Sequence, residues 1–275
     1  MRTHAMGEMT VKEVREYLKT NQTIILPYGV VEQHGYHLPL STDTHFAEIP
    51  AYALAERLDC IVAPPLNYCF SGGELPGTIN VRPTTFCAMV CDIVEALSRQ
   101  GFRNILIYPG HGGSESLMQL KEALRILKWV NKELADTMIL IIQSSNYLPW
   151  PKAEKAEYGD FHAGEGETSV MMAFRPELVR TQEICVDELP VAEMMRKDPD
   201  AYQLRTTLSG LPEEIPATSM RKEIKVGVMG YPELADPQKA RDYLEAYMNA
   251  AVPVLRKAIA DADACRQGKK KPVEM

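Results

Sequence analysis

The sequence predicts an α/β fold, a three-layer sandwich in which a mostly parallel sheet is flanked by helices on both faces. A strand, a loop and a helix follow one another four times in the 275-residue chain, which is typical of parallel strands joined by right-handed crossovers. The fourth strand, 137–143, reads as an unbroken apolar run, as expected where both faces of a strand are covered.

Capping residues, glycines and prolines mark where these elements begin and end. Thr10 and Glu13 have the spacing of a capping box, which starts the first helix. The segments 67–83 and 109–113 are too rich in glycine and proline to continue a strand. In chain order the predicted elements are the helix 10–19, the strand 23–29, a helix from 42 or 43 to 57, the strand 60–64, the helix 84–99, the strand 104–108, the helix 114–134 and the strand 137–143.

The second half of the chain is less regular. Residues 177–221 are mixed in pattern, 223–229 are predicted to form another strand, and 236–260 a closing helix. Because the sequence contains no internal repeat and no low-complexity linker, we expect one domain over residues 1–275. Residues 264–275 are expected to form a flexible tail.

Charge and hydropathy argue against nucleic-acid and membrane partners. The formal net charge is −7 and the isoelectric point is near 5.5, so no global basic field is present to wrap nucleic acid. The dense basic run 269–271 is expected to be a solvated terminus. No window approaches 18 uninterrupted apolar residues, so no membrane span is expected.

The six cysteines predict reduced thiols and a cytoplasmic location. They are scattered along the chain without a CxxC motif, and the N-terminus lacks the apolar region of a signal peptide. Scattered cysteines of this kind are typical of proteins from a reducing compartment, whereas a disulfide framework has regularly spaced, paired cysteines.

Five of the six histidines fall just after predicted strands or at predicted helix starts, together with several acidic residues. In open parallel sheets, ligands bind outside the carboxyl ends of the strands. Segments that are distant in sequence therefore converge in space, and we expect one site that contains imidazoles and carboxylates.

Glu32, His34 and Asp43 form the first part of this predicted site. An isolated Glu-x-His pair is more often a polar surface loop, but residues i and i+2 of an extended stretch point to the same side. Asp43 follows a turn nine residues after His34 and could return to the same place. A carboxylate can bridge two divalent ions, a recurring hydrolytic device, so Asp43 is the natural bridge.

His111 lies between glycines after an apolar strand, which lets the backbone approach a ligand closely. A histidine in such a loop could instead belong to the oxyanion hole of an esterase. The esterase interpretation requires a G-x-S-x-G nucleophile elbow after a strand, and the sequence contains none. Metal ligation is therefore favoured.

The last cluster lies in Phe161-His-Ala-Gly-Glu-Gly-Glu-Thr-Ser169. Glu167 lies about where a helix begins, a position where a glutamate can simply interact with the helix dipole. Glu165 is the competing candidate ligand. His162 is either a further ligand or a general acid/base, since imidazole readily exchanges protons near neutral pH.

Four ordered segments, PYGVVEQHGYHLPLSTDTH, FSGGELPGTINVRPTTF, YPGHGG and FHAGEGETS, resemble the creatininase (creatinine amidohydrolase) family. The resemblance runs from about Thr23 to Ser169, with a weaker echo at 225–230. It implies a parallel sheet sandwiched between helices, two divalent metals (zinc, manganese or iron), and hydrolysis of a C–N bond, often in cyclic amides. It also implies a homo-oligomer, commonly a hexamer.

Carried over by position, the resemblance implies that Glu32, His34, Asp43 and His111 are metal ligands, with Asp43 as the bridge. His162 matches the catalytic histidine of the family.

The pattern departs from creatininase after His111. Creatininase has an aromatic residue and then a metal-binding glutamate where this chain has Gly112 and Gly113. Glu167 is our choice for the missing ligand, and Glu115 is the alternative. The predicted substrate-binding residues are Ser71, Gly72 and Gly73 in a possible lid over 71–77, together with Gly112 and Trp150.

We therefore predict a hydrolase for a small-molecule substrate, in which a water activated by two metals cleaves the C–N bond of a cyclic amide or formamide. One alternative keeps the site and opens a cyclic ketone or lactone from carbohydrate or inositol catabolism. Another alternative is an inactive metal-containing binding protein. The loss of the aromatic residue at Gly112 argues against creatinine as the substrate.

Overall fold

A four-stranded parallel sheet forms the centre of the computed structural model, which describes residues 2–152 and 155–274. The strands lie in the order β2-β1-β3-β4, with Ile24 of β1 paired with Ile61 of β2 and Ile105 of β3. Their bounds are β1 (Thr23–Tyr28), β2 (Ile61–Val62), β3 (Asn104–Pro109) and β4 (Met138–Ile141). The predicted α/β class is confirmed, and all four strands fall within one residue of their predicted starts.

Helices cover both faces of this sheet. Ile24 and Ile105 pack with α1, α3 and α4 on one face, and Ile25 and Leu106 pack with α2 and α7 on the other. Because successive side chains of a strand point to opposite faces, each central strand contributes to both cores. The helices are α1 (Val11–Leu18), α2 (Thr42–Leu58), α3 (Pro83–Gln100), α4 (Ser114–Val130), α5 (Glu165–Phe174), α6 (Leu189–Lys197) and α7 (Pro237–Arg266).

Local signals placed the start of α1 correctly, but the ends of α4 and α7 differ from the predicted ones. The side chain of Thr10 accepts from the backbone N–H of Glu13, whose carboxylate accepts from the N–H of Thr10, so the predicted capping box is present. α4 ends at Val130 instead of 134, because Asn131 caps a separate short turn. α7 extends to Arg266, beyond its predicted end and into the predicted tail, where the Arg266 guanidinium donates to Asn104 at 2.7 Å.

None of the helices in 2–152 and 155–274 is both long and apolar enough to cross a membrane.

The predicted strand 223–229 is wrong. Its alternating apolar residues are buried, but the segment is a loop that makes only an isolated bridge between Met229 and His162. Asp187 accepts the backbone N–H groups of residues 225–227 at 2.6–3.0 Å, so these donors are not available to a strand. The irregular region before it contains α6 and an antiparallel hairpin of β5 (Gln203–Thr206) and β6 (Ala217–Met220).

Candidate metal centre

Glycines let the start of α2 approach the carboxyl ends of β1 and β3. A Cβ atom at Gly110 would lie 1.9 Å from the backbone oxygen of Asp43, and one at Gly29 would lie 2.5 Å from the backbone nitrogen of Thr44. Any larger residue would push α2 away from the sheet. Asp43, in the first turn of α2, is therefore held beside the loops that follow both strands.

Asp43 lies at the centre of a buried cluster. Its Oδ1 is 3.2 Å from Nε2 of His34, and its Oδ2 is 3.1 Å from Nδ1 of His111. Glu32 Oε2 lies 3.3 Å from the same nitrogen of His111, and Glu167 Oε2 lies 3.6 Å from Nε2 of His34. Two groups of possible ligand atoms contain Asp43, each within 4.8 Å: Glu32, Asp43 and His111, and His34, Asp43 and Glu167.

The donor atoms of this cluster suit divalent metals. Nε2 of His34, Nε2 of His111 and Oε2 of Glu32 are buried and make no hydrogen bond within the described residues. A buried polar atom without a partner costs free energy unless a ligand satisfies it. The mixture of imidazole and carboxylate donors fits zinc, manganese and iron.

Burial and neighbouring charges act in opposite directions on the ionisable groups of the cluster. Burial opposes ionisation of Asp43, but the imidazoles of His34 and His111 hold the pKa of this carboxyl well below its ordinary value. Burial likewise opposes a charge on His34, yet Asp43 and Glu167 raise its pKa to about 10. Burial raises the pKa of Glu167 to about 7. The metal-free cluster therefore keeps protons that a cation would displace.

His162 lies beside the cluster, with its ring centroid 4.3 Å from that of His34. Its Nε2 is 2.8 Å from the carbonyl oxygen of Gln33, which can only accept, and 3.1 Å from the side-chain amide nitrogen of Gln33, which can only donate, so these contacts fit either tautomer. Burial, and then the charge of His34, lower the pKa of His162, which favours the neutral imidazole. A ligand atom of His162 also groups with Glu32 and His34, so the geometry is compatible with either predicted role.

The structure separates the three candidate glutamates. Glu167 belongs to a ligand group, whereas Glu165 accepts from Lys239 Nζ at 2.5 Å and from Trp150 Nε1 at 3.3 Å. Glu115 accepts from the hydroxyl of Ser114 and belongs to none of the ligand groups in the described part of the chain. The arrangement therefore favours Glu167 over both alternatives.

A cavity of about 380 Å³ opens beside the cluster, and His111, His162 and Glu167 form part of its wall. Of the predicted substrate-binding residues, Gly112 and Trp150 line this cavity. Ser71, Gly72 and Gly73 do not line it; they belong to a loop held by the side chain of Asn80, and of the three Gly73 lies near Glu32. A substrate-binding role for that loop stays a prediction.

Sequence reasoning assigned no role to Asp160 or Gln143. Asp160 accepts from the backbone N–H groups of Glu165 and Gly166 at 2.8 and 3.0 Å, so it caps α5, the helix that carries Glu167. The glycines at 164 and 166 were an available signal, since they leave room for a carboxylate at a helix start. Gln143, just after β4, lines the cavity.

The fold and the cluster together define an α/β protein with a candidate metal centre at the carboxyl edge of its parallel sheet. The chain belongs to the creatininase family: the model of this family, described as creatinine amidohydrolase, matches residues 7–255. The chain is therefore a creatininase-family hydrolase, as the sequence predicts.

Three relatives illustrate the range of activities in this family. The creatinine amidohydrolase of Pseudomonas putida is 28% identical over 67% of this chain and 76% of its own length. A mycofactocin precursor peptide peptidase of Mycolicibacterium smegmatis is 30% identical over 62% of this chain and 66% of its own. The 3-dehydro-scyllo-inosose hydrolase of Thermotoga maritima is 27% identical over 97% of this chain and 86% of its own.

Solved structures agree with the fold. A mutant creatininase described as Zn-Zn type superposes with a TM-score of 0.74 at 22% identity, over 94% of this chain and 99% of that one. A manganese creatininase gives a TM-score of 0.73 with the same identity and coverage.

Proposed function

We propose that this chain uses two divalent metal ions to hydrolyse the C–N bond of a cyclic amide or formamide. The observation that carries the proposal is the position of Asp43, whose two carboxylate oxygens face His34 and His111 at 3.2 and 3.1 Å. A single carboxylate with each oxygen directed at a different ligand group is the arrangement that a shared pair of metals requires.

Each ligand group would hold one ion. Glu32, Asp43 and His111 would bind the first, and His34, Asp43 and Glu167 the second. When bound, the ions would act as Lewis acids and lower the pKa of a water molecule toward neutrality.

His162 would exchange the proton that C–N cleavage requires. Its Nε2 contacts both the carbonyl oxygen and the side-chain amide nitrogen of Gln33, and in the neutral imidazole one of the two ring nitrogens is basic. The lowered pKa keeps this nitrogen free to accept a proton near neutral pH, and the amine or amide nitrogen of the product would receive it. The ring lines the cavity, where a substrate would be within reach.

The proposal is tested by metal content and turnover together. Protein purified without added chelator should contain about two equivalents of divalent metal per chain, and EDTA should abolish hydrolysis until metal is restored. Metal-loaded protein should be screened by mass spectrometry against cyclic amides, formamides and cyclic ketones. A chain that binds no divalent metal, or that hydrolyses a substrate equally well after EDTA treatment, would contradict the proposal.

Ring opening of a cyclic polyol ketone is the second candidate. The relative from Thermotoga maritima, named for hydrolysis of an inosose, covers 97% of this chain, a larger share than the amide-cleaving relatives named above. The same screen distinguishes the two functions, because hydrolysis of a cyclic amide or formamide forms a new amine, whereas opening a ring ketone by C–C hydrolysis forms a carboxylate without a new amine.

We also propose that the protein is a cytoplasmic homo-oligomer. All six cysteines are free thiols, which suits a reducing compartment, and the hexamer is suggested by the family resemblance. Light scattering coupled to size-exclusion chromatography tests the assembly, and a mass of about 31 kDa would contradict it.

A further inference from the structure

The buried side chain of Gln33 lies between two candidate ligands in the chain, Glu32 and His34, and its neighbours fix the orientation of its amide. Its Oε1 accepts the backbone N–H of Gly35 at 3.1 Å, and an N–H group can only donate, so this end of the amide is the oxygen. Its Nε2 donates to the carbonyl oxygen of Gly227 at 3.3 Å, which can only accept. Both neighbours therefore require the same orientation.

Gln33 contacts one ring nitrogen of His162 with two different groups. Nε2 of His162 lies 2.8 Å from the backbone carbonyl oxygen of Gln33 and 3.1 Å from its amide nitrogen. The carbonyl oxygen accepts a hydrogen from this ring nitrogen when it carries one, and the amide donates a hydrogen to it when it does not. The ring nitrogen therefore has a hydrogen-bond partner in either tautomer, and the ring does not have to turn to find one.

The loop 225–230, which carries the weaker echo of the family pattern, joins the two members of this pair. The carbonyl oxygen of Gly227 accepts from the Gln33 side chain, and the backbone N–H of Met229 donates to the carbonyl oxygen of His162 at 2.8 Å. Gly227 has a φ of 75°, and a Cβ atom there would lie 2.6 Å from Nε2 of Gln33. Only glycine therefore lets the loop approach Gln33 this closely.

Asp187 fixes the shape of the loop. Its buried carboxylate accepts the backbone N–H groups of Lys225, Val226 and Gly227 at 2.6, 3.0 and 2.7 Å. Hydrogen bonds to an ionised carboxylate are stronger than those between neutral groups. Loss of the Asp187 charge should therefore loosen the loop that joins Gln33 to His162.

The position of Gln33 relative to the cavity separates its role from that of His162. The imidazole of His162 forms part of the cavity wall, whereas Gln33 is not among the wall residues in the described part of the chain. A molecule in the cavity would therefore meet the imidazole, with the amide of Gln33 behind it.

We propose that Gln33 is the positioning residue of His162, and that the loop 225–230, anchored by Asp187, supports it. Gln33 holds the imidazole at the cavity wall while a proton is exchanged there. This inference rests on the proposed function, because it concerns the residue that would exchange the proton.

A purely structural role for Gln33 makes a different prediction. A buried amide can simply satisfy the backbone groups of two loops. Its removal would then disturb the whole segment, so that Glu32 and His34 would move together with the His162 ring. A positioning role requires the ring to move while these two candidate ligands keep their places.

Crystal structures of the zinc-loaded proteins test the position of the ring without any need for turnover. Gln33→Met keeps the length of the side chain and removes its amide. The His162 ring should be displaced or divided between two orientations in this variant, with zinc content equal to that of the original protein. Gln119→Met is the matched control, because Gln119 is exposed on α4, and its ring at His162 should be unmoved.

Asp187→Asn tests the same inference from a greater distance along the chain. It retains the shape of the side chain and removes the charge that binds the three N–H groups. The His162 ring should be displaced in this variant too, which keeps the inference open to contradiction if Gln33→Met does not fold.

A double-mutant cycle measures whether Gln33 acts through His162. With dihydrouracil, a cyclic amide, as the substrate, Gln33→Met should lower kcat by about 10–100-fold and leave KM within about twofold, because a small misplacement of a reacting group slows the chemical step. Adding Gln33→Met to His162→Ala should cause no further loss, because the ring that Gln33 positions is already absent.

The inference is overturned if the His162 ring is unmoved in Gln33→Met, if Glu32 and His34 move with it, or if the losses in kcat multiply in the double variant. A displaced ring with unchanged kcat would instead count against the proposed role of His162. Absence of dihydrouracil hydrolysis by the original protein would count against the proposed amide hydrolysis, and the crystal structures would still decide whether Gln33 positions the ring.

Discussion

Nε2 of His37 lies 2.9 Å from the hydroxyl oxygen of Thr168, which joins the loop after β1 to the first turns of α5. His37 is fully buried, and burial, followed by the charges of His34 and His162, lowers its pKa to about 4, so the ring is neutral. His34, three residues before His37, and Glu167, directly before Thr168, belong to one ligand group. The hydrogen bond therefore links the two segments that carry His34 and Glu167, two candidate ligands of the same metal.

Removing the Thr168 hydroxyl should weaken the metal that His34 and Glu167 share. Thr168→Val is nearly isosteric but leaves His37 without its partner, and loss of such supporting contacts typically costs about 10–100-fold in metal affinity. Titration of metal-free protein should show one weakened equivalent and one unchanged. Thr168→Ser retains the hydroxyl, so both metal equivalents should bind as in the original protein. Equal weakening of both equivalents in Thr168→Val would point to general destabilisation.

Replacing Asp43 should affect both metals. Asp43→Asn removes the charge that faces both His34 and His111, so the metal content should fall from about two equivalents to less than one, and turnover by about 10²-fold or more. Glu167→Gln should remove only one equivalent. Elemental analysis after gel filtration measures both, with Asp92→Asn, exposed on α3, as the matched control. Retention of two equivalents by Asp43→Asn would exclude a bridging role.

His162→Ala separates the two roles that the geometry leaves possible. If the imidazole exchanges protons, the variant should keep its metal but lose about 10²–10⁴-fold in kcat, the usual range for general acid–base catalysis. Metal content and turnover should be measured on the same sample. Loss of a metal equivalent in this variant would show that His162 is a ligand.

Metal binding should release protons and strengthen as the pH rises. Burial opposes a charge on His34, but the surrounding carboxylates raise its pKa to about 10, so the metal-free protein holds this proton at neutral pH and a metal must displace it. Raising the pH toward that value removes the competition, which gives about a tenfold gain in apparent affinity per pH unit for each proton released. Calorimetry in two buffers of different ionisation enthalpy counts the protons, and affinity that is constant from pH 6 to 8 would contradict the prediction.

Periodicity in the sequence was sufficient for the central architecture. The apolar runs of β1, β3 and β4, with helical segments between them, specify parallel strands. β1 and β3 are buried on both faces, whereas β4, predicted to be covered on both faces, lies at the edge of the sheet and is half-buried. The same logic indicated that Glu32, His34, Asp43 and His111 lie at one edge, because parallel strands all end there. Periodicity failed at 223–229, where the alternation of buried residues belongs to a loop whose N–H groups are bound by Asp187, 38 to 40 residues away in the chain.

The different surroundings of Glu165 and Glu167 show what only the tertiary structure decided. Both lie in the first turn of α5, and residues two apart on a helix point about 200° from each other, so one must face away. The rotation of α5 is set by contacts outside the helix, namely Asp160, five residues before Glu165, and Lys239 on α7, which is distant in the chain. Sequence determined which residue types gather at the sheet edge; long-range packing decided which of their atoms meet.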